Sequence, residues 1–173
     1  NVGTYAINQG SLDNANYEIT FVADDLTISK KALTVTADAK SKTYGDSDPT
    51  LTYTTIGLAD GDSLSGVLDR AVGENVGTYA INQGSLGNPD YTITFISANL
   101  TISKKALTVT ADVKSKTYGD SDPGLTFTTS GLVGTDSLSG ALTRISGENV
   151  GTYAINKGSL DNANYEITFN SAN

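Results

Sequence analysis

The segment best suited to ligand chemistry is Tyr44–Pro49, with the sequence Tyr-Gly-Asp-Ser-Asp-Pro, which recurs as Tyr118–Pro123. Its two aspartates offer hard oxygen ligands of the kind that calcium prefers, and Asp38 or Asp62 could join them. The same residue types form tight turns, in which glycine takes a special backbone angle and aspartates cap nearby amides. Because the segment lacks the ligand number and spacing of an EF-hand loop, we interpret it as a turn and keep calcium as the alternative.

A second acidic pair, Asp24-Asp25, precedes the last strand predicted in residues 1–30. A calcium clamp between repeats would need such acids at every junction, but the matching positions in the next copy are Ala98 and Asn99. We interpret the pair as solvated charge. The sequence therefore predicts no cofactor and no defined metal site.

Threonines alternate along the predicted strands, at Thr34 and Thr36, Thr52 and Thr54, and Thr92 and Thr94. A flat array of hydroxyls could bind ice or sugar if neighbouring strands presented it on one face. Outward-facing threonine is also what a half-exposed strand prefers, and this is the simpler interpretation.

Neither an isopeptide bond nor catalysis is expected. Lys31 and Lys42, the lysines considered for a bond to asparagine, flank predicted strands, so we expect them to be solvated. The chain has no His and no Cys, which removes the Ser-His and Cys-His nucleophile pairs. Glu74, Asp62 and Asp69 form no recognisable acid–base pair for glycoside hydrolysis. The sequence therefore predicts no catalytic residues and a protein that is not an enzyme.

The composition narrows the range of partners. The 173 residues include 11 Lys and Arg against 19 Asp and Glu, which gives a net charge of −8. Nucleic acids and anionic membrane surfaces attract basic proteins, so neither is an expected partner. No apolar run approaches the roughly 20 residues that span a bilayer, so membrane insertion is not expected.

A repeated framework positions these residues, because the chain repeats itself with a period of 74 residues. Asn1–Asn8 returns as Asn75–Asn82 and as Asn149–Asn156, and residues 31–99 differ from residues 105–173 at 17 of 69 positions. Copies in line are typical of stalks, arrays and multivalent binders, which gain reach or avidity from copying.

Each repeat has the pattern of five or six short strands. Alternating apolar and polar residues predict strands at Ala32–Ala37, Leu51–Thr54, Thr78–Ile81, Tyr91–Phe95 and Leu100–Ser103. Clusters of Gly, Asp, Asn, Ser and Pro between them predict turns, and no segment carries a sustained apolar stripe of helical period. The sequence predicts an all-β protein built of small antiparallel β-sandwiches.

Two local features complete this prediction. The stretch Val67–Arg70 fits either a short strand or part of a helical turn. Four aromatic residues that recur with the repeat are expected to fill the core of each unit, with tyrosyl hydroxyls reaching its rim. They are Tyr44, Tyr79, Tyr91 and Phe95.

The last strand of each unit sets the expected domain boundaries. Residues 1–30 are the C-terminal strands of an incomplete repeat, residues 31–104 are a complete repeat, and residues 105–173 are a repeat lacking its final strand. The junction around Lys104-Lys105 has no Gly or Pro, so it should hold neighbouring repeats at a fixed angle in an elongated rod. The complementary ends fit either a window on a longer array or strand exchange between molecules.

The residues resemble a known family. Ala32–Asp38, Lys40–Asp46 and Asp48-Pro49 are similar to the start of the MBG domain, YGX type, and the likeness continues through Asn75–Tyr79 and Asn88–Phe95. Such domains occur as tandem arrays in large bacterial surface and secreted adhesins, including filamentous-haemagglutinin-like proteins. The resemblance implies an extracellular, β-rich, immunoglobulin-like module and supplies no catalytic residues.

Three functions follow from these observations. The leading hypothesis is a structural stalk or spacer that projects a binding region of an adhesin from the bacterial cell surface. The first alternative is a multivalent module that binds a surface ligand or glycan. The second is a filament subunit that assembles by head-to-tail strand complementation. In all three, the adjacent repeats of the same protein are the first partners.

Overall fold

The computed structural model describes residues 1–173, which form strands, turns and irregular segments but no helix. Consequently no helix is present that is long and apolar enough to cross a membrane. This all-β composition agrees with the prediction from the sequence. The strands are β1 (Gly3–Ile7), β2 (Asp24–Ile28), β3 (Lys31–Ala37), β4 (Lys40–Thr43), β5 (Tyr53–Ile56), β6 (Asp69–Arg70), β7 (Gly77–Asn82), β8 (Tyr91–Ile96), β9 (Ala98–Ser103), β10 (Lys105–Ala111), β11 (Phe127–Ser130), β12 (Thr143–Arg144), β13 (Ile155–Asn156) and β14 (Tyr165–Asn170).

The middle repeat contributes strands to two sheets, in the orders β5-β3-β8 and β4-β9-β7-β6. The central strand β3 runs antiparallel to β5, with Val35 opposite Thr55, and parallel to β8, with Val35 opposite Phe95. Burial alternates along β3, where Leu33, Val35 and Ala37 are at most 5% exposed. This alternation is the pattern of a strand with one face in a core.

The expectation of purely antiparallel sheets is wrong. Strands β3 and β8, β10 and β14, and β4 and β9 pair in parallel. An alternating pattern reveals which face of a strand is buried, but it carries no information about the direction of the neighbouring strand. The chain between β3 and β8 is much longer than the dozen residues that a parallel connection needs, so the crossover is easily made.

The third repeat builds one contiguous core. Its sheet β11-β10-β14 has the same registers as β5-β3-β8, and β12 pairs with β13. The core combines residues of both sheets with residues of the intervening loops. Its buried members are Leu107, Val109, Ala111, Leu142, Ile155, Leu160 and Tyr165.

The first 30 residues form a two-stranded antiparallel sheet of β1 and β2, with Tyr5 opposite Leu26. Residues 8–23 between them contain no strand. Tyr17 is 74% exposed, whereas its counterpart Tyr165 is 1% exposed. The difference shows how much the third repeat's burial depends on the strands that surround Tyr165.

The predicted strands agree with the observed ones, apart from shifts at their ends. The largest shift is at Leu51–Thr54, where the observed strand β5 begins two residues later, at Tyr53. The ambiguous stretch Val67–Arg70 contains a strand, the two-residue β6, and no helical turn.

Residue contacts divide the chain into two compact units. One consists of Asn1–Ala39, Leu51–Ala71 and Ala80–Asn99, and the other of Lys40–Thr50, Val72–Tyr79 and Leu100–Asn173. The second unit thus contains residues 105–173 together with three segments of residues 31–104, which are Lys40–Thr50, Val72–Tyr79 and residues 100–104. The sequence-based division at residues 30/31 and 104/105 stays a prediction.

Candidate functional site at the repeat junction

The Tyr-Gly-Asp segment forms a tight turn directly after β4. The backbone N–H of Tyr44 donates to the carbonyl of Ser103, and the N–H of Asp46 donates to the carbonyl of Thr43. Gly45 has φ +84°, a left-handed conformation that favours glycine. The turn therefore holds the Tyr44 side chain in a defined direction.

Tyr44 does not fill the core of its own repeat as expected, because it packs against the core of the third repeat. Its ring lies edge-on to that of Tyr165, with centroids 5.4 Å apart. Its hydroxyl donates to Oδ2 of Asp136 at 2.9 Å, and the hydroxyl of Tyr165 donates to the same oxygen at 2.5 Å. The N–H of Val133 donates to the Tyr165 oxygen at 2.9 Å, which completes the network.

The tyrosine hydroxyls at this network hold their protons firmly. The hydrogen bond to Asp136 raises the pKa of Tyr44 above its ordinary value, with a smaller contribution from burial. Burial raises the pKa of Tyr165, and its hydrogen bond to Asp136 adds to the effect. Both hydroxyls thus remain donors to the carboxylate through the neutral range, as a structural network requires.

Gly45 lies close to the Val133 side chain at this junction. A methyl group added to it would lie 2.5 Å from Cγ2 of Val133, well inside contact distance. Two features therefore favour glycine at this position. The backbone φ is positive, and Val133 leaves no room for a side chain. At the equivalent Gly119, φ is +92° but no atom lies within 4 Å of such a methyl group.

A second contact joins the segment before β7 to the third repeat. The N–H of Val76 donates to Oδ1 of Asn164 at 2.9 Å, and Nδ2 of Asn164 donates to Oδ1 of Asn75 at 3.0 Å. The first 30 residues repeat part of this arrangement, because the N–H of Val2 donates to Oδ1 of Asp90 at 2.7 Å. Asp90 is the counterpart of Asn164, so the contact recurs although the acceptor has changed from amide to carboxylate.

The covalent link is the third element of the junction. Strand β9 ends at Ser103 and β10 begins at Lys105, so Lys104 alone separates them. The N–H of Lys105 donates to the carbonyl of Asn164 at 3.0 Å, which fixes the direction in which the chain leaves the linker. Linker, Tyr44 turn and Asn164 therefore restrain the third repeat at three separate points.

Beside the Tyr44 turn, Lys42, Asp48 and Glu74 form an ion cluster. Lys42 Nζ lies 2.6 Å from Oδ1 of Asp48 and 2.5 Å from Oε2 of Glu74. The Lys42 side chain is only 5% exposed, so the expectation of a solvated lysine is wrong. Hydrogen bonds from Asp48 and then Glu74 raise the pKa of Lys42. Lys42 lies in β4, which pairs with β9, and this pairing buries the lysine side chain. The position of Lys42 in the sequence did not reveal the pairing.

The third repeat has the equivalent cluster, in which both Lys116 and Arg144 contact the acids. Asp122 accepts hydrogen bonds from Arg144 at 2.7 Å and pairs with Lys116 at 2.7 Å, while Glu148 pairs with the same two cations. The Arg144 and Lys116 contacts lower the pKa of Asp122 to about 2. Arg144 also lies over the ring of Tyr153, 5.6 Å from its centroid.

Three of the four acids considered for calcium have separate partners. Asp48 pairs with Lys42, Asp38 accepts from the hydroxyl of Thr52, and Asp62 accepts from the hydroxyl of Tyr91. Among residues 1–173 no group of three or more acidic, His or Cys side chains is placed to hold a metal ion. The segment begins with a turn, closed by the N–H of Asp46 on the carbonyl of Thr43, and the absence of a metal site stays a prediction.

The sheet β5-β3-β8 brings most of the predicted threonine array onto one face. Thr36 lies opposite Thr54, and Thr34 lies opposite Thr94. The same face also carries Ile56, which is 76% exposed. In contrast, Thr52 lies outside the strand and bonds to Asp38.

Sequence reasoning missed the receiving half of the junction, formed by Val133, Asp136 and Asn164. A weak signal existed, because Asp136 keeps the identity of Asp62 although its two preceding residues differ between the copies. The pairing of Tyr44 with a residue of the next repeat had no signal in the sequence.

The comparisons with known proteins agree with this repeated architecture. The family model described as MBG domain (YGX type) matches residues 1–27, 33–101 and 107–173. No curated protein and no solved structure gives a significant match. Since three successive matches cover nearly the whole chain, with the Tyr-Gly-Asp turn inside two of them, the chain belongs to the MBG domain (YGX type) family.

Proposed function

We propose that this chain is part of a semi-rigid stalk in an extracellular protein of the bacterial cell surface, where it positions a binding region carried elsewhere. The observation that carries the proposal is the junction between the middle and third repeats. There Tyr44 and Gly45 of the middle repeat approach the third repeat, and Asn164 of the third repeat accepts a hydrogen bond from the middle repeat. A spacer works by transmitting orientation, and a one-residue linker flanked by specific contacts restricts bending.

Each repeat is proposed to be a small immunoglobulin-like sandwich. The support comes from the third repeat, where one core takes Val109 from β10 and Ile155 from β13, which belong to different sheets. Packing two sheets on a shared core gives a unit that adds length when it is copied in line.

The chemistry of the junction suits a mechanical role. Its polar contacts are two tyrosine hydroxyls on one carboxylate and backbone N–H groups on side-chain oxygens. No buried side-chain nitrogen or oxygen among the described residues lacks a partner. Satisfied polar networks of this kind specify one arrangement of the packed elements.

Distance measurements between neighbouring repeats test the proposal. The chain has no cysteine, so spin labels can be attached at Val67→Cys and Ala141→Cys, which are equivalent exposed positions one period apart. We expect a single narrow distance distribution from pulsed electron paramagnetic resonance. Adding Tyr44→Ala and Asn164→Ala should broaden it, because both side-chain anchors of the junction are then lost.

The matched control is Tyr118→Ala, which removes the equivalent tyrosine where it is 72% exposed. This variant should leave the distribution unchanged. A broad distribution in the unsubstituted pair of labels would contradict a semi-rigid spacer. Labelling of intact producing cells by an antibody against residues 31–104 tests the surface location separately.

A further inference from the structure

The first strand of the middle repeat, β3, runs parallel to β8, one of the last two strands of that repeat. Lys31 lies opposite Tyr91, and the pairing continues without a break to Thr36 opposite Ile96. The N–H of Lys31 also donates to the carbonyl of Asp90 at 3.0 Å, which extends the ladder to the point where the chain enters β3. Six residue pairs thus connect the beginning of the repeat to a strand near its end.

Strands β4 and β9 form a second parallel pair. Lys40 lies opposite Leu100, and the pairing continues to Thr43 opposite Ser103. The N–H of Tyr44 donates to the carbonyl of Ser103 at 2.9 Å, and the hydroxyl of Ser103 donates to a carbonyl of β4 at 3.2 Å. The residue at which the chain leaves β9 is therefore held by a main-chain and a side-chain hydrogen bond.

Both strand pairs keep the same register. In each of them the paired residues are separated by 60 positions in the sequence. Lys105–Thr110 and Tyr165–Asn170 pair in parallel with the same separation. There Nδ2 of Asn170 adds a hydrogen bond to Oγ1 of Thr110 at 3.1 Å. Parallel pairing of an early strand with a late strand is therefore a repeated feature of the chain.

Parallel pairing decides how tension along the chain acts on these strands. Tension pulls β3 towards its N-terminus and β8 towards its C-terminus. Because parallel strands have these two termini at opposite ends of the pair, the strands are pulled in opposite directions along their length. The hydrogen bonds between them then carry the load together, and they fail only when the strands slide. Tension on an antiparallel hairpin, by contrast, separates the strands from their open end, so the bonds break one at a time.

Apolar side chains anchor both strand pairs in the core. Leu33 and Val35 of β3 are 1% and 0% exposed, and Leu100 and Ile102 of β9 are 0% and 1% exposed. Sliding of the strands would move these side chains out of a close-packed environment. Hydrogen bonds and core packing therefore oppose the same movement.

We propose that the middle repeat bears mechanical load, and that its two parallel strand pairs are the elements that resist tension. The inference rests on the proposed stalk function, because a protein that connects a cell surface to a bound target is placed under tension. The resistance is kinetic, since forced unfolding is governed by the rate at which the structure opens and not by its equilibrium stability. The pair β10–β14 extends the same resistance to the third repeat.

Single-molecule force measurements on the whole chain test this inference. The chain has no cysteine, so handles can be attached through introduced thiols. Lys30→Cys and Lys104→Cys lie just outside β3 and β9, and handles there load both parallel pairs along their length. We expect one high-force event that lengthens the chain by up to about 250 Å, the extended length of one repeat period.

A second attachment is the matched control. With Lys30→Cys and Pro89→Cys, tension acts at one and the same end of the β3–β8 pair, because Lys31 lies opposite Tyr91. The hydrogen bonds between the two strands then break one at a time, so the high-force event should be lost. The counterpart of Pro89 in the third repeat is Ala163, so the repeat accepts another residue at this exposed position.

The dependence of the unfolding force on loading rate gives a second readout. With the first attachment, a movement of less than one residue, about 3.3 Å, is enough to break the pairing. The distance to the transition state should therefore be shorter than this value, and it should be longer with the second attachment. Both variants should have the same urea midpoint, so that a difference in force reports the direction of loading.

Equal unfolding forces for the two attachments would overturn the load-bearing role of the parallel pairs. Unfolding at low force from the Lys30 and Lys104 handles would do the same. Failure of the spacer proposal is distinguishable from these results. A broad distance distribution between labelled repeats contradicts the spacer whatever the unfolding force, whereas a narrow distribution with a low unfolding force contradicts only the load-bearing role.

Discussion

The hydroxyl of Tyr44 lies 2.9 Å from Oδ2 of Asp136, a residue 92 positions further along the chain. The same carboxylate oxygen accepts the hydroxyl of Tyr165 at 2.5 Å. One aspartate thus ties the turn of one repeat to the core tyrosine of the next. Both this shared acceptor and the covalent link join the two repeats.

The Tyr44→Phe variant should reduce stability, because it deletes one of the two hydroxyls that solvate the Asp136 carboxylate. Loss of one such hydrogen bond corresponds to about a fivefold lower ratio of folded to unfolded protein. Urea unfolding measures it, and Tyr118→Phe is the control because Tyr118 is exposed. Equal effects of the two variants would exclude a special role for the junction.

The Gly45→Ala variant should lower the free energy of unfolding by about 1–3 kcal/mol, because the new methyl group meets Val133 and the backbone has φ +84°. Gly119 has a similar backbone angle and no neighbour within 4 Å, so Gly119→Ala measures the cost of the backbone conformation alone. Thermal unfolding should place Gly45→Ala below Gly119→Ala. Combining Gly45→Ala with Val133→Ala should close that gap, and a persisting gap would argue against the contact.

The acid stability of the third repeat should depend on Asp122. Its pKa is lowered to about 2 by Arg144 and Lys116, so its contribution to stability is complete above the ordinary value of 3.8. The contribution is lost as the pH falls through 2, because protonation removes the charge that both cations bind. NMR titration of the carboxyl carbon should show this pKa, and Arg144→Gln should move it towards 3.8. An unchanged titration in that variant would contradict the assignment.

Adding a strand beside residues 114–117 should stabilise the third repeat. Appending Leu-Thr-Ile-Ser after Asn173 supplies the equivalents of Leu100 and Ile102, which are buried in the middle repeat. Burial of two such side chains, together with new main-chain hydrogen bonds, should raise the free energy of unfolding. Appending Asp-Thr-Asp-Ser is the control. Hydrogen exchange should show new protection at residues 114–117 only in the first variant.

Local pattern in the sequence was sufficient for β3, β5, β7, β8 and β9, whereas β4 was not predicted. Leu33, Val35 and Ala37 alternate with polar residues, and strand β3 buries these three side chains. The all-β class followed from the same alternation repeated along the chain. Pattern could not reveal that β3 runs parallel to β8, because strand direction depends on the path of the intervening chain.

Only one half of the site could be predicted from the sequence. The turn chemistry of Gly45 and its neighbours predicted a tight bend, and Gly45 has the expected positive φ. The partner across the junction was not predictable, since no local rule links Tyr44 to Asp136. Burial of Lys42 was missed for the same reason, because it depends on a strand about 60 residues away.

Segments of identical sequence show most clearly what the sequence determines and what the tertiary structure determines. The sequence alone determined the 74-residue repeat, the strand periodicity and the turns, because these depend on residue types at short range. Only the tertiary structure decided whether Lys-Ser-Lys-Thr becomes a strand, as at Lys40–Thr43, or remains irregular, as at Lys114–Thr117. A strand exists when a neighbour satisfies its backbone N–H and C=O groups, and that neighbour is supplied by a distant part of the fold.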